Sequence, residues 1–142
     1  MTHLKRAAAV YAVGTALHTI DHFRRGAGST SWETVEIGTV GTILAAIVVT
    51  LIFTEHRLAP TAAVAVEFPH GLGIAAVHWL PRWSVLSDSF FDWSAGLMSW
   101  AAVSLEIGGA IAVGIAGLLA LRTSRAGSPD SRLPQPIGAE RA

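Results

Sequence analysis

"IGTVGTILAAIVVTLIFT", residues 37–54, decides the class of fold. It is uncharged, rich in β-branched residues and as long as the usual signature of a membrane-crossing helix, about 18 apolar residues. The rest of the chain shares its bias. Of 142 residues, 51% are hydrophobic and only 14% charged, and the mean hydropathy is +0.49. A soluble domain carries about 25% charged residues. So few charged side chains do not cover a water-facing surface, and the composition points to a membrane protein.

Working outward, the next long apolar run is "WSAGLMSWAAVSLEIGGAIAVGIAGLLALR", residues 93–122, with Glu106 its one internal charge. Between the two lies "TAAVAVEFPHGLGIAAVHWLP", residues 61–81, broken by Glu67 and His70. Ahead of them, residues 7–23 form an Ala-rich fourth candidate. The expected fold is therefore all-α, an integral membrane bundle of four antiparallel transmembrane helices. Their bounds are about 7–23, 34–54, 61–80 and 94–121, within one domain of residues 1–123. The Pro-, Gly- and Ser-rich residues 124–142 read as a disordered cytoplasmic tail. Two other readings compete. Residues 7–23 follow "LKR" as a signal peptide would, but the run has no leucine before Leu17. A soluble helical bundle is disfavoured because core helices seldom stay apolar all round for so long.

Basic residues set the orientation. Lys5, Arg6, Arg57, Arg122 and Arg125 fall on the side of the termini, against Arg24, Arg25 and Arg82 on the other. The expected location is the plasma membrane, multi-pass, with both termini cytoplasmic. Trp32, Trp79, Trp83, Trp93 and Trp100 cluster near the opposite ends of the spans and read as interface anchors. The expected partners are the lipid bilayer and either another membrane protein or a second copy of the chain. With ten basic and ten acidic residues there is no basic field for nucleic acid. The absence of cysteine excludes disulfides and thiolate metal ligands.

Two groups of polar residues carry the chemistry. In "HTIDHFRRG", residues 18–26, His18, Asp21 and His22 project within about one third of the helix circumference. Glu36 and His78 fall at the same depth on neighbouring spans. Imidazoles at i and i+4 can share a zinc, copper, iron or haem iron, with Asp21 as ligand or supporting acceptor. The bland reading is a helix end whose His and Asp meet water or Arg24 and Arg25. Deeper, His70 and Glu106 fall near the bilayer midplane, with Glu67 one turn from His70. Ionisable residues there suggest an acid–base or proton-relay pair; the bland reading is a buried interhelical hydrogen bond. Together these define a small polytopic membrane protein with a polar interior for a small ligand, ion or proton. The alternative is a membrane enzyme using the outer metal or haem site, or the His70/Glu106 pair.

The segments "HTIDHFRRG", "HWLPRWSVLSDSF" and "WAAVSLE" resemble landmarks of an uncharacterised family of small four-span integral membrane proteins from high-GC actinobacteria. The resemblance implies that topology over nearly the whole chain before the tail, and it supplies no activity.

Overall fold

The computed structural model describes residues 1–26, 28–92 and 95–126, which are helical with no strand among them. The helices are α1 (Thr2–Arg25), α2 (Trp32–Phe53), α3 (Ala59–Ala62), α4 (Phe68–Trp79) and α5 (Leu97–Ala126). A π-helical turn, Ala63–Glu67, joins α3 to α4 without a break, so residues 59–79 form one rod and the bundle has four. α1 and this rod both pack on α5, and α1 makes the most extensive contact.

Local chemistry explains the boundaries. α1 stops at Gly26, whose φ of 91° is open to glycine and strained for other residues. α2 starts at Ser31, whose hydroxyl accepts from the Thr34 N–H at 3.2 Å and donates to the Val85 carbonyl at 2.7 Å. Pro69 lies in the first turn of α4. Lacking an N–H and crowding the carbonyl one turn back, it disfavours a regular α-turn, and the wider π turn immediately precedes it.

Two glycines bring α1 onto α5. A Cβ on Gly14 would sit 2.7 Å from the Glu106 backbone nitrogen, and one on Gly109 would sit 2.7 Å from Tyr11 Cα. Any larger residue at either position forces the backbones apart. Around this contact the core is built largely of small and β-branched side chains, among them Ala8, Ala45, Val48, Ala63, Ala110 and Val113.

The expected bundle of four transmembrane helices is corrected by the structure. Among the described residues, only two helices are long and apolar enough to cross a membrane, Trp32–Phe53 and Leu97–Ser124. α1 falls short because Lys5, Arg6, Asp21, Arg24 and Arg25 lie within it. Residues 59–79 fall short because Glu67, Pro69, His70 and His78 interrupt the apolar run and the π turn leaves the regular helix α4 only 12 residues long. α5 also runs on to Ala126, taking in the first three residues of the expected tail of 124–142, and the rest of it, residues 127–142, lies outside the described residues.

Polarity runs opposite to that of a soluble domain. His18, Asp21, Glu67, His78, Asp88 and Glu106 are buried, whereas Phe23, Ile43, Ile47, Leu72, Leu97 and Leu119 are exposed. Of the tryptophans, Trp32, Trp79 and Trp83 are exposed. Trp100 is half-buried against Phe90 and Phe91, and Trp93 lies outside the described residues.

Candidate metal centre

α1 carries Tyr11, Thr15, His18, His22 and Arg25 at alternating spacings of four and three. That 3.5-residue repeat keeps all five on one face, here the inward one. His18 and His22 meet His78 from the last turn of α4, and the ligand atoms of the three imidazoles all lie within 4.8 Å of one another. Ring centroids are 4.7 Å apart for His18 and His22, 4.9 Å for His18 and His78, and 5.9 Å for His22 and His78.

Hydrogen bonds assign the faces of these rings. His18 Nδ1 bonds to the Glu106 carboxylate on α5, so the Nδ1–H is the donor, and a metal would take the place of any proton on Nε2. That Nε2 is buried and has no hydrogen-bond partner. His78 Nδ1 donates to the Asp88 backbone carbonyl at 3.0 Å, which leaves Nε2 as the acceptor. A ring whose Nδ1–H is anchored by a carboxylate or carbonyl is the arrangement of a metal-binding histidine. His22 differs. Its Nδ1 accepts from Arg25 Nη2 at 2.7 Å, and a guanidinium only donates. His22 therefore joins the other two as a ligand through Nδ1 only when Arg25 yields that nitrogen.

Charge around the cluster is matched. Arg25 Nη2 reaches Asp88 Oδ2 at 2.9 Å and its Nε lies 3.3 Å from Asp21 Oδ2. Arg24 donates to Asp21 Oδ1 from Nε at 3.0 Å and from Nη2 at 2.7 Å. Burial raises the Asp21 carboxyl, but the Arg24 and Ser99 hydrogen bonds outweigh it and hold the group below the usual range. Burial, followed by the neighbouring His18, pushes both His22 and His78 down to about 4. Both rings are thus neutral at neutral pH, as metal ligation requires.

The structure brings together His18, His22 and His78 from the sequence candidates and leaves two others out. Asp21 is occupied by the two arginines. Glu36 is exposed, in a surface groove lined by α2 alone. Of the deeper candidates, Glu106 pairs with His18, and His70 Nδ1 pairs with the Tyr11 hydroxyl at 2.7 Å. The expected Glu106–His70 hydrogen bond is absent because the close approach at Gly14 puts α1 side chains against Glu106. Glu67 is fully buried with neither oxygen hydrogen-bonded. Sequence reasoning passes over Tyr11 and Thr15, although their heptad-like spacing with His18 was readable. The role of Asp88, through its backbone oxygen, has no sequence signal.

No protein-family model, curated protein or solved structure matches the chain. The chemistry therefore rests on the donor set. Rings this close leave room for an ion between them and none for a haem macrocycle. Imidazole suits zinc, copper, iron and nickel, and three protein ligands leave a fourth tetrahedral position.

Proposed function

We propose that the chain is an integral membrane protein that binds one first-row transition-metal ion, of the zinc class, through His18, His22 and His78. α2 and α5, the two helices long and apolar enough for it, cross the plasma membrane. The outward apolar faces suit lipid, and the buried carboxylates and imidazoles supply the polar interior. The observation that carries the metal reading is the buried, unpaired Nε2 of His18, held by Glu106 and placed beside two more imidazoles. The open fourth position favours a second reading, that of a metal enzyme of the membrane, since zinc sites that keep a water or substrate position are the catalytic ones.

The test is metal analysis of detergent-purified protein after stripping and reloading with zinc. The parent should retain about one ion per chain, and His18→Ala and His78→Ala should retain far less while keeping the helical circular dichroism signal. Equal zinc in parent and variants would overturn the assignment.

A further inference from the structure

The second polar level of the bundle is built differently from the histidine cluster. Glu67 ends the π turn and is fully buried, and neither carboxylate oxygen accepts a hydrogen bond. His70 Nδ1 lies 3.9 Å from Oε2, too far for a hydrogen bond and within ion-pair range only when the ring has taken up a proton, and it is engaged by the Tyr11 hydroxyl. That hydroxyl also lies beside the Glu67 carboxylate, outside strict hydrogen-bond geometry. The opposite edge of His70 faces α2 at Gly41, where a Cβ would come within 2.8 Å of Nε2.

We propose that Glu67, with Tyr11 and His70 beside it, binds one small monovalent cation, H⁺ or Na⁺, at a site separate from the histidine cluster. A carboxylate without hydrogen bonds inside a membrane bundle has to be neutralised. The titratable groups on the elements around it are Tyr11 from α1, Glu106 from α5 and His70 on its own rod, while α2 brings the Gly41 backbone to His70. None of them is a permanent cation, and Glu106 is already committed to His18. The compensating charge therefore comes from solution. Its valence follows from balance: one carboxylate matches a single positive charge, whereas a divalent ion would leave an unpaired charge in the interior. Interrupted helices whose backbone carbonyls are freed from the regular ladder are suited to holding Na⁺ or H⁺. Here Pro69 withholds the N–H that an α-turn would direct to the Ala65 carbonyl. The site stands independently of the metal assignment.

The test is thermal unfolding of the full-length protein in detergent, at mildly acidic and alkaline pH, in NaCl and in choline chloride at equal ionic strength. A folded state that holds the cation more tightly than the unfolded chain loses stability as the cation is withdrawn. In choline, the parent's midpoint should therefore fall by several degrees as pH rises. Restoration by Na⁺ identifies an alkali-ion site, and no restoration identifies a proton site. Glu67→Gln keeps the shape but needs no cation, so it should lose this dependence while retaining the parent's zinc content. Tyr11→Phe, which removes only the hydroxyl beside the carboxylate, should displace the pH or Na⁺ midpoint. Glu67→Gln tracking the parent in every buffer, or an unmoved midpoint in Tyr11→Phe, would overturn the proposal. Loss of zinc binding in the parent would sink the metal reading alone.

Discussion

Towards the C-terminal end of α1, the buried carboxylates among the described residues are paired: Asp21 with Arg24 and, as an ion pair, Arg25, Asp88 with Arg25, Glu106 with His18. About two turns further into the bundle, Glu67 accepts no hydrogen bond, though Tyr11 and His70 stand beside it. The residue types are similar, and what differs is the supply of fixed positive charge. Arg24 and Arg25 reach in from the end of α1, and among the described residues no arginine or lysine bonds to Glu67. On the functions proposed above, the matched level would hold a metal and the unmatched level a monovalent cation.

Both levels hang on the same backbone contact, and breaking it should have the largest effect. Gly109→Val forces α1 away from α5 at Tyr11, directly above His70 and one turn from Gly14. Overpacking of this kind costs about 3 kcal/mol. The midpoint of thermal unfolding and the zinc content should fall together. Gly73→Ala, where nothing lies within 4 Å of the added carbon, should lower neither, since alanine favours a helix interior over glycine. If the two substitutions behaved alike, the close contact would not be what aligns the levels.

A smaller effect separates the levels. Glu106→Gln keeps an acceptor for His18 but removes its charge, and losing a supporting carboxylate typically weakens metal affinity about 10-fold. Competition with a chelator measures the loss. Glu67→Gln should show no such change, and equal weakening in both variants would erase the distinction between a matched and an unmatched site.

The effect that vanishes at neutral pH is a pH dependence of the metal-free protein. His22 and His78 titrate near 4 in the folded state, against about 6.5 in an unfolded chain. Between these values the unfolded state binds more protons, so stability falls as pH drops from about 6.5 towards 4. Denaturant titrations across that window should show the decline, and His78→Gln should flatten it. A decline of equal steepness in His78→Gln would mean that the buried imidazoles are not its source.

Much of the site was legible before any tertiary contact. The pair His18 and His22 at i and i+4, and His78 at the same depth on another rod, follow from helical rise and the hydropathy runs. Tyr11 and Thr15 were equally readable from their spacing, but neither is a usual metal ligand, so the pattern was easy to pass over. Glu36 shows the opposite error. Depth along a helix is read from the sequence, whereas the direction around it depends on packing, and α2 turns Glu36 outward. Asp21 had the right face and depth and was claimed instead by the arginines that follow it.

The sequence by itself determined what accumulates residue by residue along the chain: the helical class, the apolar character of α2 and α5, and the 3.5-residue face of α1. Only the tertiary structure decided that Glu106 holds His18 and that Glu67 is left without a hydrogen bond. Hydropathy and periodicity are sums over neighbours in the chain. A hydrogen bond depends on a few ångströms between chains of atoms far apart in sequence, and here that spacing is set where Gly14 and Gly109 let two backbones touch.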